Sequence, residues 1–328
     1  MQEKKLIGTT IRLALIVVVS AVLLTACDSG PAPAEQGKVN IGVLLIAHGS
    51  TSSTWNGMVE TFADELRASL ASNDAVGDLR LAVIDEPKSS IAENLRAFDK
   101  AGYDEVIIVP LFIAAESQRT NHYLAYLIGM RSDAGQVKQL EKEGYDIYYP
   151  RARVSIAPAL NEGGALKKNV LRRVQELQND DDGEDMGVLL VGYGDQAFGQ
   201  QMQETMENIG RYLKIKTDMD TVAYAFCGEL VDYSGEPVVE AINEVLDLEE
   251  EVLVVPVLLG IDEKLHVNTI EAAVNAVPTA SRIRYAQTAV LPDPKINKWV
   301  EQQIEAAVVR VNAAGGDIIG EVIPASEL

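Results

Sequence analysis

The sequence is poor in the residues that build several common kinds of site. It contains two cysteines, Cys27 and Cys227, and no Cys-x-x-Cys pair, which argues against iron–sulfur clusters and cysteine-ligated zinc. No Gly-x-x-x-x-Gly-Lys loop and no Gly-x-Gly-x-x-Gly fingerprint follows the first apolar run, so the usual phosphate-binding loops are absent. Only 28 basic residues stand against 49 acidic ones, and the net charge of -21 argues against a nucleic-acid partner.

The first 27 residues have the pattern of a bacterial export signal. They begin with a basic stretch and continue into an apolar run over 13–24, which is too short for a comfortable membrane span. The run ends in LTAC at 24–27, which is typical of a lipoprotein cleavage site. The sequence therefore predicts lipidation at Cys27, a flexible tether over 28–38, and an extracytoplasmic, periplasmic location on the cell membrane. An uncleaved anchor helix is the alternative and gives nearly the same location.

The rest of the chain alternates apolar, β-branched runs with amphipathic stretches. VNIGVLLIA at 39–47 and EVIIVPLF at 105–112 have close counterparts in MGVLLV at 186–191 and EVLVVPVLL at 251–259. Strands that alternate with helices predict parallel sheets with right-handed crossovers. We therefore expect an α/β protein with two similar, doubly wound parallel-sheet domains from an internal duplication. Their expected bounds are 39–178 and 186–315, with a cleft between them.

Histidine is scarce, and all three histidines occupy the same kind of position. His48, His122 and His266 each follow the carboxyl end of an apolar strand, the edge where open α/β sheets bind ligands. Imidazole is the commonest transition-metal ligand, so the three side chains together predict a site for divalent cobalt, iron, nickel or zinc. Each histidine taken alone is better explained as a loop or core residue, so the prediction depends on the shared position of all three.

Polar residues next to the last two histidines are candidates for substrate binding. Gln118 and Arg119 precede His122, and Lys264 precedes His266. Cationic side chains of this kind bind carboxylates, so Arg119 and Lys264 are candidates for holding an acidic substrate. Plain exposure to solvent is the alternative for each of them.

Three segments in order resemble one known family. They are AHGS at 47–50, PKSSIAENL at 87–95 and VPLF at 109–112, and weaker versions recur in the second half. Over residues 39–310 the sequence resembles the sirohydrochlorin cobaltochelatases, the CbiX-like, ATP-independent class II chelatases.

The resemblance implies an enzyme, a metal chelatase of the lyase class. It would insert Co2+ or Fe2+ into a sirohydrochlorin-type tetrapyrrole, with cobalt as the first expectation. His48 matches the histidine that binds metal and accepts pyrrole protons, a task that suits neutral imidazole. The family's acidic helper matches Glu86 or its neighbour Asp85, and Glu229 is the counterpart in the second half.

The sequence also departs from the family pattern. Gln118 occupies the position of the family's second histidine, and His122 lies one helical turn further on. In the second half, Tyr193 stands in the place of His48 and Lys264 in the place of the second histidine. The alternative function is therefore an extracytoplasmic metal- or tetrapyrrole-binding lipoprotein without turnover. A scaffold that has lost its metal site is a third possibility.

Overall fold

The computed structural model describes residues 39–84, 90–113, 123–179, 185–196 and 199–313, which contain two four-stranded sheets. All strand pairs are parallel, and the strand orders are β2-β1-β3-β4 and β6-β5-β7-β8. The first sheet consists of β1 (Ile41–Ala47), β2 (Val76–Val83), β3 (Glu105–Pro110) and β4 (Arg153–Ile156). The second consists of β5 (Met186–Gly192), β6 (Val222–Phe226), β7 (Glu251–Val257) and β8 (Ile283–Tyr285).

Ten α-helices connect and cover these strands in the described residues. They are α1 (Ser53–Leu70), α2 (Ile91–Ala101), α3 (Leu124–Leu127), α4 (Ala134–Lys142), α5 (Ala165–Gln178), α6 (Gly199–Lys216), α7 (Glu236–Leu246), α8 (Glu263–Leu265), α9 (Ala272–Ala276) and α10 (Pro294–Ala313). A π-helical stretch, His266–Glu271, joins α8 to α9. The predicted fold class, two parallel-sheet α/β halves, is confirmed.

The strand registers make the two halves directly comparable. Ile46 of β1 pairs with Pro110 of β3, and Val191 of β5 pairs with Pro256 of β7. The central strands β1, β3, β5 and β7 are buried almost throughout, as parallel strands covered on both faces must be. Because the registers coincide, His48 and Tyr193 occupy equivalent positions, two residues beyond these pairs.

The last helix of each half packs on the sheet of the other half. Helix α5 follows β4 but packs on β7, and Arg173 on α5 donates to the Pro256 carbonyl there. Helix α10 follows β8 but packs on β3 and α1, and Val300 and Ile304 share one core with Ile107. The described parts of the predicted ranges 39–178 and 186–315 each contain one sheet, and α5 and α10 pack across the boundary between them.

The described residues, which lie between 39 and 313, all belong to one compact unit. The predicted signal peptide, its lipidated Cys27 and the tether over 28–38 lie outside the described residues. Within the described ranges, none of the helices is long and apolar enough to cross a membrane.

Candidate functional site

A cavity of about 530 Å³ lies at the carboxyl ends of the central strands of both sheets. The segments after β1 and β3 line it from one half, and the segments after β5 and β7 line it from the other. In each sheet the chain order reverses between these two strands, and such a switch point leaves a crevice suited to ligands. The cavity is therefore the cleft that the sequence predicted between the halves.

His48 lies in the cavity lining, on the segment between β1 and α1. Its ring is half-buried and tilted by 50° against Phe112, with ring centroids 5.0 Å apart. The Trp55 indole donates from Nε1 to the His48 carbonyl oxygen over 3.1 Å. The backbone of His48 is thus hydrogen-bonded to α1, and its ring packs against Phe112, two residues beyond the end of β3.

Carboxylates from the second half hold the segment that carries His48. Ser50 Oγ donates to Asp262 Oδ2 over 2.6 Å. Ser52 and Thr54, at the N-terminus of α1, donate their hydroxyls to Glu263 over 2.5 Å and 2.6 Å. These two hydroxyl donors lower the pKa of Glu263 from 4.5 to about 2, so its carboxylate stays charged near neutral pH.

The second half presents two tyrosines and a lysine to the same cavity. Tyr193 and Tyr233 lie in the lining with their hydroxyl oxygens 3.0 Å apart. The Nζ atom of Lys264 lies 3.0 Å from the centroid of the Tyr233 ring, a cation–π contact. Burial and the Tyr233 hydrogen bond raise the pKa of Tyr193 well above 10, so its phenol is neutral. The predicted substrate-binding residue Lys264 therefore faces the cavity.

Acidic side chains complete the charged part of the lining. Asp195, Glu229 and Asp262 line the cavity, and Glu229 begins a short 3₁₀ turn, Glu229–Val231. Glu229 is the residue predicted as the second-half counterpart of the acidic helper. Together with the His48 imidazole, these carboxylates favour the approach of a cation.

His266 differs from its predicted role as a metal ligand. It is completely buried and does not line the cavity. The Asp262 amide donates to Nδ1 over 3.1 Å, so Nε2 carries the proton and donates to the Thr288 carbonyl over 3.1 Å. Both ring nitrogens are occupied, and neither offers a lone pair to a metal in the cavity. His266 therefore stabilises the turn before α8 and does not join His48 in the cavity.

The other predicted site residues cannot be placed in the same way. Glu86, Gln118, Arg119 and His122 lie outside the described residues. Within the described ranges, no group of three His, Cys, Asp or Glu side chains is arranged to hold a metal ion. His48 is thus the predicted metal-binding residue that the described structure brings to the cavity.

Sequence reasoning missed Tyr233, Trp55 and Asp195 in the cavity lining. The sequence pattern places Trp55 in helix α1, but it does not show that the side chain lines the cavity. Asp232 and Tyr233 adopt left-handed backbone angles, with φ of 49° and 59°, and this turns the Tyr233 side chain towards the cavity. Such angles are unusual for residues other than glycine and leave no signal in the sequence. Asp195 lies two residues after Tyr193, the second-half counterpart of His48. That position in the sequence was the signal that could have identified Asp195 as a residue of the cavity.

Comparisons with known proteins agree with this architecture. Residues 42–177 match the CbiX family model. The structure of SirB from Bacillus subtilis with Fe3+ covers 84% of this chain and 98% of its own, with a TM-score of 0.62 and 17% identity. No curated protein matches the chain in sequence.

Two further solved structures show the same likeness. The sirohydrochlorin chelatase SirB from Bacillus subtilis subspecies spizizenii, in complex with cobalt, has a TM-score of 0.59 and 15% identity over 84% of this chain and 98% of its own. CbiX, described as the terminal enzyme of siroheme biosynthesis in denitrifying bacteria, has a TM-score of 0.51 and 18% identity over 81% of this chain and 99% of its own. The chain therefore has the fold of the sirohydrochlorin chelatases, and its residues 42–177 match the CbiX family.

Proposed function

We propose that this chain inserts a divalent metal ion into a sirohydrochlorin-type tetrapyrrole without ATP. The observation that carries the proposal is the position of His48, in a cavity between two sheets of the chelatase fold. That histidine also lies within the residues that match the CbiX model. The related SirB structures are described with Fe3+ and with cobalt, so we take Co2+ first and Fe2+ second as the metal substrate.

The chemistry needs only a cation-binding group and a proton acceptor. Insertion forms bonds between the metal and the four pyrrole nitrogens, and two pyrrole N–H protons leave. No electron is transferred and no phosphoryl donor takes part. A neutral imidazole at His48 can bind the cation through its lone pair and then accept a pyrrole proton. Asp195 and Glu229 add negative potential on the opposite wall of the cavity.

We assign the remaining predicted site residues to the same reaction. His122 is proposed as a second metal ligand and Glu86 as the acidic helper of His48. Gln118, Arg119 and Lys264 are proposed to bind the tetrapyrrole substrate. Of these five, Lys264 is the one whose side chain the structure describes, and it lines the cavity. His266 is left out of the metal site because both of its nitrogens are hydrogen-bonded elsewhere.

The test is turnover by the purified protein. Mixed with sirohydrochlorin and Co2+, the protein should change the visible spectrum of the pigment faster than Co2+ alone does. His48→Ala should abolish turnover and weaken Co2+ binding by at least about 100-fold, since even groups that merely orient metal ligands contribute 10- to 100-fold. Ser53→Ala, an exposed position at the start of α1, is the matched control and should behave like the wild type.

The outcomes separate two functions. Tetrapyrrole and metal binding with a rate equal to the protein-free rate would favour a binding lipoprotein without turnover. Unchanged Co2+ affinity in His48→Ala would contradict the assignment of the metal site.

We also propose that the chain acts outside the cytoplasm, anchored to the membrane through a lipid on Cys27. The support is the LTAC sequence after a short apolar run. Cys27→Ser should lose incorporation of labelled palmitate in a bacterial host, whereas an unlabelled wild-type chain would refute lipidation.

A further inference from the structure

The two halves of the cavity are equivalent in backbone but different in chemistry. Tyr193 occupies the position that His48 has in the first half, as the shared registers of β1 with β3 and β5 with β7 show. Both side chains line the cavity. A phenol whose pKa is raised by burial does not do the work of a neutral imidazole at neutral pH, because it holds its proton. Tyr193 must therefore contribute something other than a proton acceptor.

Tyr193 belongs to a cluster that is connected by short contacts. Its hydroxyl oxygen lies 3.0 Å from that of Tyr233, and the two rings meet edge to face. Lys264 Nζ lies over the face of Tyr233 at 3.0 Å from the ring centroid. Thr269 Oγ1 donates to the Lys264 carbonyl over 2.9 Å and lies 3.4 Å from the Tyr233 carbonyl. The backbone segments that carry Lys264 and Tyr233 are thereby held together.

The backbone at Tyr233 supports a ligand-binding role independently. Two consecutive residues other than glycine, Asp232 and Tyr233, have positive φ angles of 49° and 59°. Each such conformation costs about 1 kcal/mol or more, and such residues cluster at ligand sites. Here the strained pair places the Tyr233 ring between Tyr193 and Lys264.

The cluster presents hydrogen-bond donors to the cavity. One tyrosine hydroxyl donates to the other, and the accepting hydroxyl keeps its own proton for a ligand. The Lys264 ammonium has three N–H donors, and a ring face occupies only one side of it. Among the described residues of the lining, Lys264 is the sole lysine or arginine, while Asp195, Glu229 and Asp262 are acidic. An anionic group of a ligand is therefore directed to this cluster and away from the rest of the cavity.

We propose that Tyr193, Tyr233 and Lys264 form a subsite for a carboxylate side chain of the tetrapyrrole. The inference rests on the proposed function, and it divides the work between the halves. The first half handles the metal and the protons through His48. The second half holds the macrocycle by an acidic side chain, with an ammonium and a phenol on the two carboxylate oxygens.

The test compares two pigments of the same shape and different charge. Coproporphyrin carries carboxylates, and its carboxamide analogue carries neutral groups in their place. Binding to the full-length protein is followed through quenching of tryptophan fluorescence, since Trp55 lines the cavity. The variants are Lys264→Met and Tyr193→Phe, with Lys100→Met, an exposed position at the end of α2, as the control for loss of a charge.

Lys264→Met should weaken coproporphyrin binding about tenfold, and Tyr193→Phe should weaken it several-fold, as expected for charge-assisted and neutral hydrogen bonds. Binding of the carboxamide analogue should change little, and so should Co2+ binding. Equal losses for both pigments would show that the cluster merely shapes the cavity, and wild-type affinity in both variants would likewise overturn the subsite. In both cases the proposed function would stand if Co2+ insertion persists. Failure of the wild type to speed Co2+ insertion into sirohydrochlorin would instead refute the proposed function itself.

Discussion

His266 follows a strand, as a metal ligand at the sheet edge would, but its buried side chain has a different role. It is hydrogen-bonded through both ring nitrogens to the backbone. Burial lowers its pKa from 6.5, against the opposing effect of its bonds to Thr288 and Asp262. The folded protein therefore keeps His266 neutral at a pH where the unfolded chain already binds a proton there. Stability should fall as the pH drops below about 6.5, until the folded pKa is reached.

His266→Gln should flatten this pH dependence. Glutamine can accept from the Asp262 amide and donate to the Thr288 carbonyl, but it does not titrate. Below about pH 6.5, the wild type should lose up to about 1.4 kcal/mol of unfolding free energy per pH unit more than the variant. Urea unfolding at a series of pH values measures the difference. Parallel curves for the two proteins would mean that His266 binds protons equally in the folded and unfolded states.

The sequence could not distinguish His266 from His48. Both follow an apolar strand, and the position after a strand predicts proximity to the sheet edge. It does not predict which way a ring points or which backbone groups reach its nitrogens. Those depend on the turn between β7 and α8, where Asp262 caps the helix through its side chain and contacts His266 through its backbone amide.

At the scale of elements, the N-terminus of α1 depends on a residue more than 200 positions away in the chain. Glu263 accepts hydroxyl bonds from Ser52 and Thr54 and places a negative charge where the helix dipole favours one. The first half of the molecule carries His48, Ser52 and Thr54, and the second half carries Glu263. The hydrogen bonds of Glu263 to the two hydroxyls therefore join the two walls of the cavity.

Glu263→Gln should loosen the segment between β1 and α1. The amide keeps one acceptor oxygen, so one hydroxyl bond is lost together with the charge. We expect faster amide hydrogen exchange at residues 52–56, with Glu244→Gln on the exposed face of α7 as the matched control. The wild type should also lose stability as the pH falls from 4.5 towards 2, because the folded pKa is the lower one. Exchange rates at 52–56 equal to those of the control would exclude an anchoring role for Glu263.

The elements themselves were largely readable from the sequence. The apolar runs at 39–47, 105–112, 186–191 and 251–259 became the four central strands, with their ends shifted by at most two residues. The edge strands β4 and β8 were missed, because strands of only three or four residues show little periodicity in the sequence. The helical pattern of α5 and α10 predicts which face of each helix is buried. It does not predict which of the two sheets that face packs against.

At the scale of the whole molecule, the exchange of α5 and α10 makes each half depend on the other. The first sheet is covered on the β3 side by α10, whose Ile296, Val300 and Ile304 are almost completely buried. Helix α5, which ends the first half, buries Leu166, Val170 and Val174 against the second sheet. A cut between the halves would therefore expose two apolar faces at once.

A fragment of residues 39–178 should fail to fold on its own. Without α10 it leaves apolar contacts uncovered, and each fully buried aliphatic side chain contributes about 1.5–3 kcal/mol. Three such side chains account for about as much as the whole stability of a typical domain, about 5–15 kcal/mol. The matched design joins residues 39–160 through a flexible linker to 290–313, so that the sheet receives its own covering helix. Circular dichroism should show cooperative thermal unfolding for this chimera and none for the 39–178 fragment.

A cooperative transition in the simple fragment would mean that α5 can fold back onto the first sheet. In that case the duplicated halves would be interchangeable in their packing, and the exchange would contribute little to holding the two cavity walls together.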